Sequence, residues 1–189
     1  MMEYLICNNG AIVVTGSIDL TGTKLPELPR FGMRMELHQP YENLVYYGRG
    51  PFENYIDRYS SSFIGRYEDK VENQFYWYTR PQETGNKTDV RWLSLLDSEG
   101  QGVRITGLQP IAFSALHFSP EDLDPGLTRK LQHTIDIVPQ KNIFLHVDLK
   151  QRGLGGDNSW GMYPHNEYRL LDKKYTYSYM IELVKKNSD

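Results

Sequence analysis

Apolar and polar positions alternate with a period of two through much of the chain, and helical periodicity is nearly absent. The clearest run is 175–184, where Tyr175, Tyr177, Tyr179, Ile181 and Leu183 alternate with Thr176, Ser178 and Glu182. Successive side chains of a strand point to opposite faces, so this run predicts a strand with one face on a core. Residues 31–37 alternate similarly, with Arg34 and Glu36 on the polar face. Enrichment in β-branched and aromatic residues between turn formers predicts further strands at 12–20, 43–47, 75–79, 92–96, 102–106, 111–118, 131–138 and 143–149. Asp97-Ser98-Glu99-Gly100 and Pro139-Gln140-Lys141-Asn142 read as turns. One short helix is predicted at Pro120–Leu123, with Ser119 as its cap and Glu121 and Asp122 in its first turn. A single turn cannot organise a fold. Many short strands without a helical layer imply an all-β, antiparallel sandwich or barrel. Gly22, Pro26 and Pro29 make 21–29 irregular. Two connections, 48–74 and 151–166, are too long and too rich in polar and aromatic side chains for simple hairpin turns, and binding residues concentrate in such loops.

Composition narrows the class without naming a chemistry. A chain of 189 residues suits one domain with its own core. Aromatic residues make up 13% of it, 14 of them Tyr, which argues against disorder. A net charge of −3, with no block of either sign, excludes the basic face of a general nucleic-acid binder. No apolar run reaches bilayer length, and the start lacks a basic flank before its apolar stretch. Neither a membrane-spanning helix nor a signal peptide is therefore expected. The compartment stays open between cytoplasm and periplasm. Cys7 stands alone, which excludes an internal disulfide and a cysteine-based zinc site. It has no evident base nearby in sequence and reads as inert.

Three stretches carry candidate chemistry. In Gly155-Gly156-Asp157-Asn158-Ser159-Trp160-Gly161, glycines permit tight turns while Asp, Asn and Ser bond back to the backbone. Such a loop can hold one indole in the open, where its flat apolar face suits the C–H face of a sugar. The alternative is that Trp160 plugs the end of the sandwich. No helix follows the glycines, so they are not a phosphate cradle. In the segment from Gly48 through Gly50, Glu53, Asn54 and Asp57 to Arg58, the two carboxylates could form the pair that glycoside hydrolysis needs. Alternatively they belong to an ion-pair network in which Arg58 pins an irregular loop. The third stretch, 80–92, either lines a carbohydrate pocket with Arg, Asn and Glu or simply leads into the strand at Trp92. The five histidines are scattered, none at helical metal spacing, and His133 and His146 fall on predicted strands. A Ser–His–Asp triad stays open, although no Gly-x-Ser-x-Gly elbow occurs.

Taken in order, Gly50-Pro51-Phe52-Glu53-Asn54-Tyr55-Ile56-Asp57-Arg58, the segment from Arg80-Pro81-Gln82-Glu83 to Trp92, and Gly155-Gly156-Asp157-Asn158-Ser159-Trp160-Gly161 resemble the C-terminal, fifth or "small chain" domain of bacterial β-galactosidases of glycoside hydrolase family two. The resemblance runs over about residues 28–184 of a single domain, with 1–27 a truncated N-terminal part. It implies an antiparallel supersandwich similar to galactose mutarotase. It also implies that the two catalytic glutamates lie on a (β/α)₈ barrel absent from this chain, so neither Glu53 nor Glu83 is expected to be catalytic. The expected contribution is one wall of the active site. Trp160 would stack on the galactoside, Asp157, Asn158 and Ser159 would shape its loop, and Gly50, Glu53, Asn54, Asp57 and Arg58 would belong to a loop bordering the cleft. No cofactor or metal is expected in this chain, the parent's Mg and monovalent cation being held in its catalytic domain. The implied partners are that barrel and the substrate, within a homo-oligomeric parent, without nucleic acid or membrane. Ile56 stands where the family usually has Pro, which leaves φ less fixed, and Asn158 stands where it commonly has Asp, which removes a charge. Two rival readings are a free-standing carbohydrate-binding or assembly domain and an aldose 1-epimerase. The latter needs a positioned acid and base, and no His/Glu pair forms a recognisable motif.

Overall fold

The computed structural model describes residues 1–124, 126, 133–158 and 161–185. Among these described residues nine strands, all paired antiparallel, account for the architecture. They are β1 (Met2–Ile6), β2 (Ile12–Asp19), β3 (Arg30–Leu37), β4 (Asn43–Gly50), β5 (Phe63–Lys70), β6 (Lys87–Leu96), β7 (Gly102–Leu116), β8 (Ile143–Gln151) and β9 (Lys174–Val184). One short helix, α1 (Pro120–Leu123), carries the expected cap. The Ser119 hydroxyl accepts from the Asp122 amide, and the Asp122 carboxylate accepts from the Ser119 amide in return.

The sheet runs β1-β2-β9-β7-β6-β4-β5, and β7 is where it divides. The first half of β7 pairs with β9 from Gly102 to Gly107, and the second half pairs with β8 from Ala112 to Leu116. Between these halves, Val90 and Trp92 of β6 oppose Ile111 and Thr106 of β7, so 107–110 bulge out of the ladder. Gln109 stitches the bulge to β9 by a reciprocal pair of 3.1 Å bonds with the Ser178 backbone. The two branches then face each other. Phe31 of β3 meets Tyr177 of β9 edge-on at 5.5 Å, and the Tyr177 hydroxyl donates to the Val147 carbonyl of β8 at 2.9 Å. The result is an open, sandwich-like antiparallel arrangement. Its core holds Leu93, Leu95, Ile105, Phe113, Leu145 and Tyr179, all fully buried.

The structure joins two predicted segments, 102–106 and 111–118, into the single strand β7. It also corrects two others. Residues 75–79 form no strand, because Phe75 packs on Phe118 at 4.4 Å while Tyr76 and Trp77 turn out to solvent. Of 131–138, residues 131 and 132 lie outside the described residues. The remainder carries a 3₁₀ turn at Thr134–Asp136, closed by a 2.7 Å bond from the His133 amide to the Asp136 carboxylate. His133 is therefore off the sheet, whereas His146 does sit on β8. The connection 48–74 also contains more regular structure than expected, namely the end of β4 and all of β5. Both β1 and β5 sit at sheet edges with largely exposed side chains. An edge strand wetted on both faces has no need to alternate, so its sequence carries no period-two signal.

Candidate functional site

β4 ends at Gly50, which is buried where a Cβ would stand 2.1 Å from the Tyr46 hydroxyl. The chain then enters 51–62, and three polar residues there are committed to different tasks. Asn54 is fully buried. Its amide nitrogen donates to the Arg49 and Phe52 carbonyls at 3.1 and 3.0 Å, and its oxygen accepts from the Thr88 amide and hydroxyl at 2.9 and 2.5 Å. Every polar capacity of the side chain is spent on clamping this loop to β6.

Glu53 is nearly as enclosed, its side chain 11% exposed. One carboxylate oxygen accepts from Arg58 and the Tyr78 hydroxyl, and the other from the Thr84 hydroxyl at 2.9 Å and the Gly85 amide at 2.8 Å. Burial pushes its pKa up, but the bonds from Tyr78, Gly85 and Thr84, with the Arg58 charge, outweigh that and hold it below the usual range. Arg58 itself is half exposed and leans over the Tyr55 ring, 5.2 Å from its centroid.

Asp57 turns the other way. Its carboxylate accepts from the Gly155 amide at 2.6 Å, and a Cβ on Gly153 would come within 2.5 Å of it. The structure thus brings together two separately predicted stretches, the loop after β4 and the glycine-rich segment after β8. The latter is anchored at both ends. Glu27 accepts from Arg152 at 3.1 Å and from Arg169 at 2.7 Å, and both guanidinium groups lie over the Tyr163 ring. Asp157 and Asn158 are exposed on this segment. Ser159 and Trp160 lie outside the described residues.

A separate buried cluster surrounds Arg30, which reaches Glu83 at 2.7 Å, Gln151 at 2.6 Å, Asp148 at 3.0 Å and Nδ1 of His146 at 2.9 Å. Because the guanidinium can only donate, Nδ1 is an acceptor and the imidazole is neutral. Burial, reinforced by Arg30 and Arg34, depresses that imidazole to about 4. Burial also pushes the Asp148 carboxyl up to about 7 against the pull of Arg30. Glu83 is raised as well, again through burial. Arg30 thus ties β3 and β8 to the segment carrying Glu83, and the Glu53 charge adds to the rise at Glu83. Among the described residues no three His, Cys, Asp or Glu side chains converge as metal ligands, and no helix is long and apolar enough to cross a membrane.

Two features escaped the sequence reading. One is the aromatic run Phe75-Tyr76-Trp77-Tyr78, whose lack of alternation was the available signal against a strand. The other is Lys87, at the start of β6, which is 2% exposed. Burial lowers its ammonium to about 8. Phe52, Tyr76, Tyr78, Glu53, Gln74 and Lys87 are among the walls of a 560 Å³ cavity. A second cavity of 340 Å³ opens between Tyr55, Asn86 and Tyr175.

These features sit in a recognisable line of descent. The family model for the β-galactosidase small chain matches residues 1–181, taking in the first 27 residues that precede the motif resemblance. A β-galactosidase of Priestia megaterium is 34% identical over 182 residues, covering 96% of this chain and 17% of that protein. One from Streptococcus thermophilus is 34% identical over 183 residues, again 96% and 17%, and one from Halalkalibacterium halodurans is 33% identical over 170 residues, 88% and 16%. The chain spans about one sixth of the length of these relatives. Matched along nearly its whole length, this all-β chain belongs to the β-galactosidase small-chain family.

Proposed function

We propose that this chain is the non-catalytic small-chain domain of a longer β-galactosidase, and that it completes the sugar-binding wall of that enzyme by presenting Trp160 to the galactoside. Hydrolysis with two carboxyl groups needs one that protonates the leaving group and one that attacks or activates water. Glu53 is unsuited to either task, because four donors hold it ionised and saturated. Asp148 and Glu83 are tied to Arg30 inside the fold. Both glutamates of the reaction therefore belong to another part of the longer polypeptide.

The observation that carries the reading is the bond from the Gly155 amide to Asp57. It braces the glycine-rich segment against the loop after β4 at Gly155, close in sequence to Trp160. In this reading Asp157, Asn158 and Ser159 would shape that turn, while Gly50, Glu53, Asn54 and Arg58 keep the supporting loop in place. An indole held this way offers its face to the C–H face of galactose.

The test is kinetic. Trp160→Ala in the longer enzyme should raise KM for a nitrophenyl galactoside by about 5–30-fold, the equivalent of about 1–2 kcal/mol of lost stacking. An unchanged KM would remove the role assigned to Trp160.

A further inference from the structure

We propose that the 560 Å³ cavity between the loop after β4 and the aromatic run 75–78 is a second carbohydrate subsite, which takes a neutral pyranoside. Among the described residues of 151–166 none lines it, and we take it as distinct from the stacking position proposed for Trp160. Its size falls within the roughly 300–1,000 Å³ of small-ligand sites.

The walls are aromatic and open. Phe52 is 69% exposed and Tyr76 58%, and Tyr76 is braced by the Tyr78 ring at 4.6 Å. Exposed rings flanking a concavity are costly to leave in water unless something covers them. Tyr78 is locked in turn by Glu53 and Arg58. The polar floor is equally fixed. Gln74 donates to the Asp69 carboxylate at 2.8 Å and accepts from the Lys87 ammonium at 3.0 Å, and that ammonium also donates to the Gly85 carbonyl at 3.2 Å.

Two considerations select the ligand. An ammonium has three donors, and Lys87 spends only two among the described residues. No carboxylate pairs with it there, although its walls include Glu53 and Asp69. A ligand oxygen that accepts the third bond satisfies a buried cation that otherwise lacks a full set of partners. The charges lining the cavity also cancel, Lys87 and Arg58 against Glu53 and Asp69, so neither an anion nor a cation is favoured. A group with hydroxyl oxygens and apolar C–H faces meets both the floor and the walls, and a pyranoside is such a group.

The experiment is a titration of the isotope-labelled 189-residue chain with methyl β-D-galactoside and methyl β-D-glucoside, followed through backbone amide shifts. Saturable shifts at Tyr76, Gly85 and Lys87 are expected. Phe52→Ala and Tyr76→Ala should each weaken the binding about fivefold, the effect of one lost ring contact. Lys87→Met should weaken it further, and because that variant opens a buried site, the two exposed ring variants decide the matter if it does not fold. Trp160→Ala should leave these shifts unchanged, which separates this subsite from the stacking role proposed above. The inference is overturned if no saturable shift occurs at these amides up to the solubility of the sugars. It is equally overturned if Trp160→Ala alone abolishes the shifts, or if inorganic phosphate binds there in place of the glycosides.

Discussion

Asn54 and Lys87 show how differently two buried polar side chains can be held. Asn54 has four partners and no spare capacity, so removing it strands two carbonyls and two donors in a dry interior. Asn54→Ala should destabilise the domain by about 2–4 kcal/mol, read as a lowered urea midpoint with an unchanged slope. Lys87 is charged and incompletely paired, and its folded pKa of about 8 lies below the ordinary 10.5. Between those values the unfolded chain binds more protons than the folded one, so stability from this group rises with pH. From about pH 8 to pH 10 the wild type should gain about 2 kcal/mol relative to Lys87→Met, measured by denaturant titration. No local pattern marks this, because a lysine opening a strand reads as exposed. The network around Glu53 was better signalled. A dense mixture of carboxylate, amide and guanidinium groups between glycines suggested mutual pairing, and Arg58 does pair with Glu53. That Asp57 would turn away to Gly155 depends on a contact 98 positions along the chain, which no local pattern encodes.

At the scale of elements, legibility follows burial. β9 was plain because Tyr175, Tyr177 and Tyr179 are buried while the residues between them are more exposed. β1 and β5 were missed because solvent wets them on both faces. The run 75–79 was misread because aromatic residues favour strands in general, and only the packing of Phe75 on Phe118 shows that the chain turns there. The joint between the two candidate loops belongs to this scale too. Replacing Asp57 by Ala removes the acceptor of the Gly155 amide and leaves the core untouched. Hydrogen exchange at Gly155 should then accelerate by at least about tenfold while exchange at Leu93 and Leu145 holds steady. Unaltered exchange at Gly155 would mean that the segment after β8 is held by other contacts.

At the scale of the whole molecule, the proposed function assigns chemistry and binding to different parts of a longer polypeptide. The chain matches proteins about six times its length, named for an activity that needs two carboxyl groups in defined roles. Glu53, Asp57, Glu83 and Asp148 are each bonded within the fold, which leaves the exposed aromatic residues and the glycine-rich segment for the sugar contact proposed above. The most direct test is the rate at which the isolated 189-residue chain hydrolyses a nitrophenyl β-galactoside. The account predicts no turnover above the uncatalysed rate. Measurable turnover that disappears in Glu53→Gln would contradict it, because that result would place the chemistry in this domain.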